Sequence, residues 1–347
     1  MQRCVSFRSQ LFRPRLARCM SVRPELVSRL PNLPPGMSVS IFILIHSIYL
    51  LVAQAPKKMT IQRIYSMRAK GIPITTLTAY DFPTARQCEQ NHIDICLVGD
   101  SLAQVCLGYD STTKLTLEEM IHHCKAVVRG AKTPFLVADM PFGTYLSSPS
   151  EAIRNAVRLV QEGGAEAVKL EGGVELAPTV KALTSVGIPV MAHIGLLPQR
   201  HVSLSGYRIQ GRDARSALAI FQAAQQLQQA GAWAIVLEAI PHTLASHITE
   251  NLDVPTIGIG AGPGCSGQVL VWDDAMGVWA GHQAKFVRKF ADLGACAGEG
   301  VRAYMEAVRD RSFPDATSEG YEMAQEDWDK YLKLCENYQQ CETPRGS

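Results

Sequence analysis

Seven short apolar runs, separated by longer amphipathic stretches, govern what this chain can fold into. The runs are ITTLTAYD (74–81), ICLVGDS (95–101), PFLVADMPF (134–142), AVKLEGG (167–173), PVMAHIGL (189–196), AIVLEAIP (234–241) and PTIGIGAG (255–262). They are apolar throughout rather than alternating, as expected of strands buried on both faces. The intervening stretches have helical periodicity. In 214–231, Ala217, Ile220, Phe221, Ala224 and Leu227 recur at helical spacing and the stretch ends at Gly231. Buried strands alternating with helices predict a parallel sheet. With an eighth strand expected near KFVRKF (285–290), the pattern predicts a (β/α)8 TIM barrel. The alternative is an open doubly wound sheet, but LTAYDFPT after the first run lacks that fold's Gly-rich phosphate turn.

The first 59 residues read differently. Met1 to Arg29 holds seven arginines and one acid, Glu25, with serines between them. That composition predicts a mitochondrial transit segment. The apolar stretch 38–55 is short for a membrane span and carries His46, so no stable span is expected. The barrel is assigned to 60–315. The extension 316–347 is expected to form a short amphipathic helix around Trp328, Tyr331, Leu332 and Leu334. A net charge of +2 gives no reason to expect nucleic acid as a partner. Ten irregularly spaced cysteines without a Cys-x-x-Cys pair predict reduced thiols.

In a barrel, function sits at the C-terminal strand ends. Those ends carry Asp81, Asp100, Asp139, Lys169 with Glu171, His193 and Glu238. Single acids there often cap the next helix. So many acids converging on one mouth would repel unless a cation joins them. Asp100, Asp139 and Glu171 offer hard oxygen ligands for Mg²⁺. Lys169 and His193 can neutralise or orient a bound anion, and Glu238 is left as a candidate base. Lys169 and Glu171, two apart, share one strand face. A structural ion pair is the alternative reading of those two. This set of groups suits metal-assisted enolate chemistry on a small keto acid.

TAYDFPTA, LVGDSLAQVCLGYDST, ADMPFGTY, VKLEGG, AHIGLLPQ, GYRIQGR, VLEAIP and IGIGAGPGCSGQVLV, in this order, closely resemble the ketopantoate hydroxymethyltransferase family. The resemblance spans about 60 to 315 and implies a barrel like those of phosphoenolpyruvate mutase and isocitrate lyase. It implies transfer of a one-carbon unit from 5,10-methylenetetrahydrofolate to 3-methyl-2-oxobutanoate, giving 2-dehydropantoate through a Mg-stabilised enolate. Carried over by motif, Asp100, Asp139 and Glu171 hold Mg²⁺. Asp100, Ser101, Asp139 and Lys169 contact the keto acid, His193 has a matching active-site position, and Glu238 accepts the proton. The family forms homo-oligomers. Arg208 and Arg212 in GYRIQGR are candidates for folate contact. Ala103, Ser266 and Trp272 depart from the family pattern without touching the expected ligands. Another Mg-dependent keto-acid lyase or mutase, or a catalytically silent barrel, are the competing readings.

Overall fold

A computed structural model describes residues 57–203 and 205–342 of the chain. The expected transit segment and the apolar stretch 38–55 lie outside the described residues. Among the described residues no helix is long and apolar enough to cross a membrane. The described cysteines, from Cys88 to Cys335, are free thiols.

Eight parallel strands close a barrel in sequence order. They are β1 (Ile74–Thr78), β2 (Ile95–Val98), β3 (Phe135–Asp139), β4 (Ala167–Glu171), β5 (Val190–Gly195), β6 (Ala234–Glu238), β7 (Thr256–Ile259) and β8 (Gly267–Leu270). The helices are α1 (Ile61–Ala69), α2 (Phe82–Gln90), α3 (Leu102–Val105), α4 (Leu117–Gly130), α5 (Pro149–Gln161), α6 (Ala177–Ser185), α7 (Ala214–Gln229), α8 (His242–Glu250), α9 (Trp272–Met276), α10 (Leu293–Asp310) and α11 (Gln325–Glu342).

The eighth strand is not KFVRKF. It is GQVL at 267–270, paired with β1 from Ile74↔Gly267 to Leu77↔Leu270 and with β7 at Ile257↔Gly267. A turn, not a helix, joins β7 to β8, so the strand–helix rhythm fails there. Gly267 lets the strands close, because a β-carbon on it would lie 2.3 Å from the Ile74 carbonyl oxygen. KFVRKF instead forms part of an irregular segment whose Phe286 ring packs over Gly260 at the end of β7.

Several helices start at caps written locally. Asp81 accepts from the Thr84 N–H, and Thr84 returns the bond, opening α2. Thr116 with Glu119 opens α4, and Asp213 with Ser216 opens α7. Asp81 is thus a helix cap and not a member of the acid cluster. The helices bury their apolar faces against the outward-facing strand residues, including Cys96, Val98, Leu136, Ala138, Val168 and Leu170.

Alternate strand residues fill the interior. Phe135, Val137, Ala167, Met191, Ala234, Val236 and Ile257 pack together, and Ile64 of α1 joins them. Each Phe, Val, Met or Ile side chain among them contributes about 1.5–3 kcal/mol. This apolar stack supports a charged layer at the C-terminal end. The inward columns read Phe135–Val137–Asp139, Ala167–Lys169–Glu171 and Ala234–Val236–Glu238, so one pleat supplies core below and chemistry above.

The C-terminal extension forms α11, where Trp328, Tyr331, Leu332 and Leu334 are all exposed.

Candidate active site

Strand register brings the charged residues together. Asp139 is the Cα partner of Lys169, Glu171 of His193 and Gly195 of Glu238. Gly195 is required because a β-carbon there would meet the Glu238 carbonyl at 2.2 Å, and its φ is +98°. Asp100, Asp139, Lys169, Glu171 and His193 are each at most 6% exposed. Glu238 has a side chain 14% exposed, so it stands nearest the opening among these groups.

The Lys169 ammonium lies 3.1 Å from Asp139 Oδ1 and 3.7 Å from Glu171 Oε1. Residues 169 and 171 therefore do share one inward face, and the pair belongs to a larger network. His193 Nδ1 is 3.4 Å from Glu171 Oε1, and its Nε2 faces Glu238 Oε2 at 3.2 Å. The Asp100 backbone N–H donates to Asp139 Oδ2 at 2.9 Å. Ser101 Oγ stands above Gly99, as does Asp139 Oδ2.

Two residues that the sequence did not single out lock this network. The Gln199 side-chain amide donates to Asp100 Oδ2 at 2.9 Å and to the Met140 carbonyl at 3.1 Å. Its backbone N–H donates to Glu171 Oε2 at 3.0 Å. The buried Tyr145 hydroxyl donates to Gln199 Oε1 at 2.6 Å, which fixes which end of the amide faces Asp100. Both residues lie within the quoted stretches ADMPFGTY and AHIGLLPQ, but nothing in their spacing marks a shared partner. Arg208 and Arg212 are exposed, and no ion pair engages either among the described residues.

The charges are unevenly compensated. Burial, then the charges of Glu171 and Asp139, pushes the Asp100 carboxyl up to about 8 against Lys169 and Gln199. Burial also raises Asp139, although Lys169 and the Asp100 N–H oppose it. Burial alone would raise Glu171, but His193 and Lys169 outweigh it and hold it low. Burial and Lys169 work against a proton on His193, yet Glu171 and Glu238 lift it to about 9. Burial works against the Lys169 charge, and the three surrounding carboxylates more than restore it.

That imbalance bears on Mg²⁺. Among the described residues no group of three His, Cys, Asp and Glu side chains is already set to enclose a metal ion. Lys169 stands between Asp139 and Glu171, and Gln199 between Asp100 and Glu171. The donor set nevertheless fits a hard divalent cation. It consists of buried carboxylate oxygens with net negative charge left over, and Asp139 Oδ1 has no hydrogen bond of good geometry.

Comparison with known proteins identifies the family of the chain. The family model described as ketopantoate hydroxymethyltransferase matches residues 58–316. A 3-methyl-2-oxobutanoate hydroxymethyltransferase of Thermoanaerobacter sp. (strain X514) is 51% identical over 259 residues, covering 75% of this chain and 94% of its own. One from Emericella nidulans is 47% identical over 264 residues, covering 76% of each chain. Among solved structures, phosphonopyruvate hydrolase in complex with oxalate and Mg++ superposes with a TM-score of 0.50 at 13% identity, over 80% of this chain and 99% of that one. That likeness concerns the fold alone, a closed barrel of parallel strands. A match across nearly all of the barrel, with half of the aligned residues identical, makes this enzyme a member of the ketopantoate hydroxymethyltransferase family.

Proposed function

We propose that the chain transfers a hydroxymethyl unit from 5,10-methylenetetrahydrofolate to 3-methyl-2-oxobutanoate, giving 2-dehydropantoate. The observation that carries this reading is the buried carboxylate layer with Glu238 set apart from it and paired to His193 Nε2 at 3.2 Å. Asp100, Asp139 and Glu171 are the residues to hold Mg²⁺, which when bound polarises the keto oxygen and acidifies the neighbouring C–H. Lys169 offsets the negative charge of the acids and of the incoming keto acid. Ser101 offers a hydroxyl beside Asp139. Glu238 takes the C3 proton, and the protonated His193 orients its carboxylate. The electron pair left at C3 then attacks the methylene carbon of the donor as that carbon's bond to N10 opens, and N10 takes up the proton that Glu238 removed. Water adds its oxygen to the same carbon as the bond to N5 breaks, N5 takes a proton from the water, and tetrahydrofolate leaves.

The test is to incubate the protein and Mg²⁺ with 3-methyl-2-oxobutanoate in D₂O, with and without methylenetetrahydrofolate. We expect deuterium at C3 without the donor and 2-dehydropantoate with it. Exchange without transfer would point to another keto-acid reaction, and neither would point to a silent barrel.

The arginine-rich first 29 residues are the support for delivery to mitochondria. An import assay should show cleavage of this segment, and retention of the full chain outside the organelle would refute it. A homo-oligomer is the expected assembly; light scattering at the monomer mass would refute that.

A further inference from the structure

The segment between β5 and α7 crosses the mouth of the barrel. It is pinned at one end by Gln199, whose backbone and side chain bond Glu171 and Asp100. At the other end the Gln210 N–H donates to the Ala239 carbonyl at 3.0 Å, one residue after Glu238. Its two anchors therefore lie on opposite sides of the acid layer.

Between the anchors the chain presents an aromatic surface. The rings of His201 and Tyr207 are parallel within 5°, with centroids 5.6 Å apart. His201 Nδ1 lies 3.0 Å from the Pro198 carbonyl, which fixes the imidazole plane. His201 covers one face of the Tyr207 ring, yet Tyr207 as a whole remains 56% exposed. Burial pushes the Tyr207 phenol up, a side-chain hydrogen bond with Gln104 opposes this, and the charges of Asp100, Glu238 and Glu171 add to the rise. Tyr207 therefore lies near enough to Gln104 on α3 and to the three mouth carboxylates to feel each of them. Glu238 is the side chain of that layer with the most solvent access, and its charge is among those that act on the Tyr207 phenol.

We infer that the uncovered face of Tyr207, backed by His201, is a stacking platform for a planar conjugated ring, the pyrimidinone half of the one-carbon donor's reduced pterin head. This rests on the transferase reading above. The keto acid has no flat ring and sits deeper, against the carboxylates. The pyrimidinone ring has a π-face, and the platform supplies a flat aromatic partner for it. Stacking on Tyr207 holds the donor's methylene carbon above the layer in which C3 loses its proton.

The experiment compares the full chain with Tyr207→Ala and Tyr207→Phe by two readouts. One is the KM for methylenetetrahydrofolate, with tetrahydrofolate binding by calorimetry as a second measure. The other is donor-independent deuterium exchange at C3 of 3-methyl-2-oxobutanoate. Loss of one ring–ring stack corresponds to about a tenfold or greater weakening. We expect Tyr207→Ala to raise the donor KM and the tetrahydrofolate Kd by that amount. Exchange should fall by less than twofold, and Tyr207→Phe, which keeps the ring, should restore the KM to within about threefold. An unchanged donor KM in Tyr207→Ala overturns the platform. So does a loss of exchange matching the loss of transfer, because Tyr207 would then serve the keto-acid pocket. If the unmodified protein exchanges C3 but never uses the folate, it is the transferase reading that fails.

Discussion

His193 on β5 and Glu238 on β6 face each other at the rim of the barrel, Nε2 to Oε2 at 3.2 Å. Glu171 sits on the other side of the same imidazole at 3.4 Å. One ring thus links a carboxylate committed to the buried layer with one left near solvent. Replacing Glu238 by Gln keeps the shape and removes the basic oxygen. We expect C3 exchange of 3-methyl-2-oxobutanoate to fall about 10²–10⁴-fold, with little change in melting temperature. Exchange at the full rate in Glu238→Gln would remove Glu238 as the proton acceptor.

Asp100 tests the metal. Its carboxyl is pushed from the ordinary range near 4 up to about 8. A carboxyl raised on folding destabilises the metal-free protein increasingly as pH climbs from about 4 to about 8. In EDTA at pH 8, Asp100→Asn should therefore be more stable than the unmodified protein, by about 1–3 kcal/mol. The gain should vanish near pH 4. Mg²⁺ should raise the melting temperature of the unmodified protein and not of the variant. Equal Mg²⁺ stabilisation of both would count against Asp100 as a ligand.

His193 carries the opposite sign. Its pKa is raised on folding, from about 6.5 to about 9. Its contribution is therefore complete below about pH 6.5 and is lost as pH rises through 9. In EDTA, His193→Gln should be less stable than the unmodified protein by up to about 3 kcal/mol at pH 6. The gap should narrow by pH 10. A gap that does not depend on pH would mean that packing, and not charge, is what His193 supplies.

Tyr145 and Gln199 test positioning. Tyr145→Phe removes the hydroxyl that donates to Gln199 Oε1, so the amide that holds Asp100 loses one of its supports. We expect Mg²⁺ affinity by calorimetry to weaken about ten- to a hundredfold in Tyr145→Phe and Gln199→Leu alike. A double variant no worse than either single one would show that the two act as a unit. Unchanged affinity in both would reduce them to core packing.

Seven of the eight strands could be read from continuous apolar runs, because burial on both faces leaves little room for polar residues. The facing of Lys169 and Glu171 could be read from a period of two. β8 could not be read so, because a glycine opens it, Gln268 within it is exposed, and no helix precedes it. KFVRKF looked more like a strand than GQVL did, yet its Phe286 is needed over Gly260.

The sequence by itself determined the barrel and the types of charged group at its strand ends, since both follow from local periodicity and residue chemistry. Only the tertiary structure decided how those groups are held. Gln199 reaches Asp100 across 99 positions of chain, and Tyr145 reaches Gln199 across 54. Tyr207 enters the field of the mouth carboxylates from a loop. Such contacts depend on where strand register and loop path bring distant atoms, and no pattern in the intervening residues encodes that meeting.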